Sequence, residues 1–389
     1  MNADHRLATR RAEALVELLD IPESYYRLAA ERYASVSEWL HRPDSAVARY
    51  GPAVYAQGSF RYGTVIRPLF RSDEYDIDIV NEFLWLTKAH MSQKELKALL
   101  GDEIKAYAVA KKFNHAPEEK NRCWRLDYAD TVKFHMDILP GIPEDEVFKR
   151  RLVEFKVPME LAALAIAITD RRHEKYAVVD QEWPRSNPRG FAGWFEGRMR
   201  VQAQARIADL LARRVYSKAD DIPTWEWKTP LQRAIQVLKR HRDVMFRENC
   251  DIAPISMILT TLSAHAYEGE PGLFEALTNV LDRMPKFVRQ KAPRIPNPVN
   301  PAEDFADRWA SDKRLEPAFW NWHTQASADV AALAIPYTMK KLQEFSHQKL
   351  RLDMPGDIAE VLADVLPAEA KPARPSVVIA SPPRPWANR

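Results

Sequence analysis

Asp76 and Asp78, separated by one isoleucine in EYDIDIV, are the residues of this chain with the clearest chemical meaning. In an extended strand alternate side chains share a face, so the two carboxylates stand together while Ile77 and Ile79 turn to the opposite, buried side. Two like charges this close repel, so something positive must lie between them. A later stretch, KFHMDIL, repeats the alternation: Phe134, Met136 and Ile138 form an apolar face and leave Asp137 on the other with His135. If the two strands are neighbours, three carboxylates converge on one patch.

Converging carboxylates have few physical uses. Their hard oxygens suit Mg²⁺, with Mn²⁺ as an alternative. Two such ions about 3.5–4 Å apart can clamp the attacking and leaving oxygens of a phosphoryl displacement. The other half of that reaction is an anion cradle, and Gly58-Ser59 just upstream has the right composition. At a helix start its N–H groups and hydroxyl face a phosphate, and glycine permits close approach. Glu74 shares the face of the two aspartates but falls at the solvent end of the strand. Asp73 reads as a loop charge, and His135 as a neighbour of the site rather than a ligand.

The surrounding elements must bring these residues together. Residues 5–41 read as two amphipathic helices broken at DIPES, with Ala12, Leu15, Leu18 and Leu19 in one stripe. EYDIDIVNEFLWL is one strand, and FHMDILPGIP is another that stops at Pro140-Gly141. The helical stretch SQKELKALLGDEIKAYAVAKK lies between them. From about residue 195 the helical period takes over. Thr229 is placed as an N-cap with Pro230 at the first helical position, and Pro254 stands in a similar place before SMILTTLSAHAY. Asn300 with Glu303 reads as a capping box opening another helix. The pattern predicts an α+β fold with three parts: a catalytic lobe over 1–195 including the N-terminal helices, a helical lobe over 196–366, and a disordered proline-rich tail over 367–389.

Composition narrows the class. At 389 residues the chain can bury a sizeable core. Its longest apolar run, LAALAIAI, is too short to span a bilayer, and the N-terminus lacks the apolar core of a secretory signal, so a cytoplasmic protein with no membrane partner is expected. Cys123 and Cys250 are too few for a disulfide framework or a cysteine-rich zinc module and read as core thiols. With 57 basic and 54 acidic residues, net +3, the balance gives no polyanion signature, and nucleic-acid binding is not supported.

A glycine-serine pair, then D-x-D on a strand, then a third strand aspartate resembles the nucleotidyltransferases of the polymerase-β superfamily. QGSFRYGTVIRP, EYDIDIV, HMDILPGIP, WPRSNPRGFAGWF, LKRHRDVMF, PISMILTTLSAHAY and IPNPVNPAEDFADRW together look like the bacterial cyclic-oligonucleotide synthases, the CD-NTases, over about residues 10–350. The interval from Ser59 to Asp76 is longer than in minimal nucleotidyltransferases, and the cysteines are too few for the zinc module of the animal relative. The resemblance implies a bilobed polymerase-β-like core with a mixed sheet and a C-terminal helical domain. It implies that Gly58 and Ser59, with Gln57 beside them, hold the donor nucleotide. Asp76 and Asp78 would bind two Mg²⁺ ions, and Asp137 would complete the metal site and help deprotonate the attacking ribose hydroxyl. Lys239 and Ser256 would reach the triphosphate from the helical lobe. Arg240 and Arg242 are rivals for the role of Lys239, and Ser256 could equally be a local capping hydroxyl.

The activity this implies is the joining of nucleoside triphosphates, ATP and GTP, into a cyclic second messenger with release of pyrophosphate, in the anti-phage signalling called CBASS. A closed pocket rewards a short intermediate and stacking favours large bases, so the expected product is a cyclic purine dinucleotide of the GMP-AMP type. Two other readings stand beside it: a linear nucleotide-adding transferase acting on RNA or protein, and a nucleotide-binding module without catalysis. In related defence systems the synthase C-terminus is joined to other molecules, which makes the tail around Trp386 a candidate partner segment.

Overall fold

The structure is a computed structural model that describes residues 3–70, 74–128, 134–212, 227–334 and 339–353. Asp73 and the tail from 367 onward therefore lie outside the described residues.

Helices α1 (Ala3–Glu17) and α2 (Glu23–His41) meet at the Asp20–Pro22 elbow. Strand β1 (Pro52–Gln57) leads into a one-turn helix α3 (Gly58–Tyr62), and β2 (Tyr75–Phe83) returns antiparallel beside β1. Helix α4 (Gln93–Ala110) opens on a capping box in which Ser92 and Glu95 satisfy each other's backbone N–H groups. Strands β3 (Glu118–Glu119), β4 (Trp124–Tyr128) and β5 (Phe134–Pro143) follow, and β5 lies parallel to β2. Among the described residues the sheet runs β1-β2-β5-β4-β3. After the helices α5 (Glu146–Glu154) and α6 (Met159–Ala162), strands β6 (Ile166–Ile168) and β7 (Arg185–Ser186) extend it from the far end of β5.

One face of this mixed sheet is the floor of a core. Ile77, Ile79, Phe83, Leu126, Met136 and Ile138 pack there with Val36 and Leu40 of α2 and Leu96, Leu100 and Ile104 of α4. Period-two burial in β2 and β5 is what turns the intervening aspartates to the other face.

The helical part comprises α7 (Pro188–Ala212), α8 (Pro230–Met245), α9 (Ser256–Ala266) and α10 (Leu273–Arg283). A short hairpin of β8 (Pro296–Asn297) and β9 (Asn300–Asp304) precedes α11 (Leu315–Ala332), α12 (Met339–Phe345) and a π-helical turn over Ser346–Leu350. These helices share a second core built on Leu231, Ile235, Leu238, Leu259, Leu277, Phe319 and Trp322. Helix α1 joins that core through Ala12, Leu15 and Val16, followed by Leu19 in the turn after it, and α7 runs unbroken across residue 195.

Four local expectations are corrected. Asn300 opens a strand, not a helix: Asn297 Oδ1 accepts from Val299 N and its amide donates to Glu303, so the side chains that resemble a capping box close a hairpin instead. Strand β5 continues past Pro140-Gly141 to Pro143, because Gly141, Ile142 and Pro143 pair with β6. Pro254 precedes the α9 N-cap, which is Ile255, so Ser256 is the first helical residue. Cys250 is exposed in a turn after α8 rather than in the core.

Candidate functional site

The two aspartate-bearing strands are direct neighbours. In the parallel β2–β5 pairing Asp78 stands opposite Asp137 and Asp76 opposite His135, so all four side chains share the face turned away from the sheet core. On the other flank Gln57, the last residue of β1, pairs with Asp78. The chain then bends sharply into α3. Gly58 has φ +66, and a Cβ built on it would lie 2.3 Å from Asp78 Oδ2, so only glycine lets the turn close onto that carboxylate. Ser59 follows in the first turn, its carbonyl accepting from Thr64 N at 2.9 Å.

The electrostatics around Asp78 are set first by burial. Burial first, and then the charges of Asp76 and Asp137, push the Asp78 carboxyl up to about 7, although Arg125 and Lys239 oppose the shift. Asp76 is exposed, yet partial desolvation raises its pKa as well. Asp137 is held by Arg125 of β4, its strand neighbour in register, through Nε–Oδ1 and Nη2–Oδ2 contacts of 2.7 and 2.8 Å. His135 does not face the aspartates as a free ligand: Nδ1 lies 2.7 Å from Asp127 Oδ1, and Nε2 pairs with Glu74. Among the described residues no three His, Cys, Asp or Glu side chains are already closed into a metal-binding cluster. The donor set nonetheless fits a hard divalent cation: three carboxylates on one face, one of them made costly to ionise by burial first and then by the other two.

Helix α8 reaches this site from the helical side. Thr229 caps it by accepting from Gln232 N, with Pro230 at the first position. One stripe of α8 then donates side-chain hydrogen bonds to backbone carbonyls between Tyr62, the last residue of α3, and Arg67. Gln232 Nε2 binds Tyr62 O at 2.9 Å and Gln236 Nε2 binds Val65 O at 2.7 Å. Lys239 Nζ binds Thr64 O at 2.9 Å, and Arg240 Nη2 binds Arg67 O at 2.6 Å. These positions recur at helical spacing, which is why one face can read an extended backbone. Gly63 fits under Gln232, whose Nε2 would sit 2.5 Å from an added Cβ. Lys239 is thus neither solvated nor free: it is buried, and desolvation with the nearby Arg242 lowers its pKa to about 8. Ser256 Oγ lies 3.1 Å from Arg242 Nη1, which also donates to Pro254 O at 2.9 Å.

Between the carboxylate face and α8 lies a cavity of about 630 Å³. Gly58, Ser59, Asp76, Asp78, Lys239 and Ser256 all line it; Gln57 and Asp137 do not, although each is paired in register with Asp78. Its wall also includes Glu74, Arg67, Arg242 and Arg247. Of these, Arg242 was legible as a rival in LKRHRD. Arg67 and Arg247 lack any periodic signal, and Arg125 gives none until β4 is known to flank β5.

Residues 52–140 match the model of the cyclic GMP-AMP synthase DncV-like nucleotidyltransferase domain. A c-di-GMP synthase of Roseivirga ehrenbergii is 27% identical over 310 residues, covering 78% of this chain and 74% of that protein. The cyclic dinucleotide synthase CdnG of Bradyrhizobium diazoefficiens is 26% identical over 348 residues, covering 84% and 76%. In fold, the chain is similar to the structure of that CdnG in complex with GTP, with TM-score 0.64 at 21% identity over 92% of this chain and 98% of that one. Vibrio cholerae DncV in complex with GTP and 5MTHFGLU2 is similar at TM-score 0.52 and 15% identity, over 92% and 88%.

Proposed function

We propose that this chain is a bacterial-type CD-NTase that joins nucleoside triphosphates into a cyclic dinucleotide with release of pyrophosphate. One observation carries the reading: the parallel register sets Asp78 beside Asp137 with Asp76 on the same face, next to a glycine turn that only glycine can close. In this reading the protein is bilobed, with the sheet and its covering helices as the catalytic lobe and the helices around α8 as the second. Asp76, Asp78 and Asp137 hold Mg²⁺ or Mn²⁺. The bound cations supply neutralisation of phosphate charge. Gly58 and Ser59, with Gln57 behind them, seat the donor triphosphate, and Asp137 orients and deprotonates the attacking hydroxyl. Arg242, Ser256 and Lys239 face the same cavity from the helical side and are suited to the phosphate tail. The substrates are ATP and GTP; relatives of the same fold are known in complex with GTP.

The cavity is of a size for a short intermediate, which favours a dinucleotide over a long ladder. A GMP-AMP type product is the first reading. A second, a product made from GTP alone, is favoured by the 27% identical relative, a c-di-GMP synthase. The deciding experiment supplies labelled ATP and GTP separately and together with Mg²⁺, treats with phosphatase and weighs the protected product. More product from the pair than from either alone supports the mixed dinucleotide, and full yield from GTP alone supports the second reading. A ladder of linear products, or a preference for UTP or CTP, overturns both, and absence of turnover favours a binding module.

The signalling role extends the same proposal. The product acts in anti-phage defence, and residues 367–389 serve a protein partner there. Truncation after Leu366 should leave synthesis intact and impair protection in cells carrying the partner genes.

A further inference from the structure

Three carboxylates on one face call for a positive charge, and in this structure that charge belongs to a residue of the chain itself. Arg125 and Asp137 are paired in register on adjacent antiparallel strands, which aims the guanidinium along the carboxylate plane. The fork engages both Asp137 oxygens at 2.7 and 2.8 Å, and the same Nη2 stands 3.8 Å from Asp76 Oδ1. Bidentate geometry of this kind is among the stronger ion pairs, and this one is shielded, with the side chains only 24% and 20% exposed. Asp137 is not in the wall of the cavity that Asp76 and Asp78 line.

A hard cation binds carboxylate oxygens. Asp137 cannot give both oxygens to a guanidinium fork and at the same time present them fully to a metal. We propose that Arg125 is a built-in competitor of the divalent cation, a counter-ion that must loosen its fork on Asp137 before the metal site completes. The proposal rests on the reading of the three aspartates as metal ligands. It has a rival with the opposite sign, in which Arg125 buttresses Asp137 in its ligating orientation and so strengthens metal binding.

Mn²⁺ titration of the full chain without nucleotide, followed by the electron paramagnetic resonance of free Mn²⁺, separates the two. Arg125→Gln should bind Mn²⁺ roughly tenfold more tightly than the parent chain, the order expected when a unit charge a few ångströms from a dication is removed in high dielectric. Arg125→Lys keeps the charge and loses the fork, so its affinity should fall between the two. Unchanged or weaker binding in both variants overturns the proposal. If Arg125→Gln does not fold by circular dichroism, the lysine variant alone decides, with affinity no tighter than the parent chain as the overturning result. Asp78→Asn tests the underlying reading. If it binds Mn²⁺ as well as the parent chain, the metal site itself is misassigned and the proposal falls with it. Loss of binding in Asp78→Asn together with no change in Arg125→Gln rejects the role of Arg125 alone.

Discussion

Gly58 and Asp78 are in contact across the β1–β2 pairing, so closely that a single methyl on Gly58 would lie 2.3 Å from Asp78 Oδ2. The turn that presents Ser59 and the strand that presents Asp78 are thereby one steric unit. Gly58→Ala must either move the carboxylate or open the turn, and at φ +66 it also strains the backbone by about 1 kcal/mol. Turnover should fall by at least about tenfold with only a small loss of Tm, since the strain is local. Steady-state synthesis beside a thermal melt checks this; near-normal turnover would show that the turn is not part of the site.

Asp78→Asn separates catalysis from stability. The carboxyl is held well above its ordinary value of 3.8, at about 7, so ionising it in the fold is unfavourable. The folded state binds that proton more tightly than the unfolded chain does, so the group costs stability as pH rises above 3.8 and the full penalty is reached above about 7. Asparagine removes the penalty. Without divalent ions at pH 8 the variant should melt at or above the parent temperature, while synthesis falls by about a hundredfold or more. A lower Tm would contradict the charge argument.

The carbonyl ladder from α8 makes a third prediction. Gln236 is fully buried and donates both to Val65 O at 2.7 Å and to Asp20 Oδ1 at 2.9 Å. Gln236→Leu leaves those acceptors without this donor in a dry setting, which costs about 2 kcal/mol in denaturant unfolding. The loosened segment carries the cavity wall from Thr64 to Arg67, so KM for nucleotide should rise as well. An unchanged KM would confine the ladder to a structural role.

His265 supplies a pH signature far from the carboxylates. It stacks on Phe287 with ring centroids 5.2 Å apart, and burial, then Arg198 and Arg289, lower its pKa from 6.5 to about 4. The folded state therefore refuses a proton that the unfolded chain accepts below about 6.5. The stabilising contribution is complete above that pH and is lost progressively as pH falls toward 4. His265→Gln should flatten the difference in Tm between pH 7 and pH 4.5 relative to the parent chain. Parallel profiles for the two proteins would remove His265 as the cause.

Much of the site was legible because its signals are local. The alternation in YDIDI put Asp76 and Asp78 on one face, and the structure keeps Ile77 and Ile79 buried beneath them. Thr229-Pro230 announced the start of α8 through groups only three residues apart. The misreadings are also local in origin. Asn300 and Glu303 have the spacing of a capping box, but hairpin pairing with Asn297, three residues before Asn300, decides their use, and the helical spacing alone does not weigh that neighbour.

The sequence by itself determined which residue types face together within each element, because side-chain periodicity is a property of a few consecutive residues. Only the tertiary structure decided that β2 and β5 are parallel neighbours with Asp78 beside Asp137, that Arg125 of β4 forks onto Asp137, and that Lys239 turns to the Thr64 carbonyl. Those outcomes depend on strand order, register and packing between segments far apart in the chain. They are fixed by burial of the whole core, which local patterning constrains but does not specify.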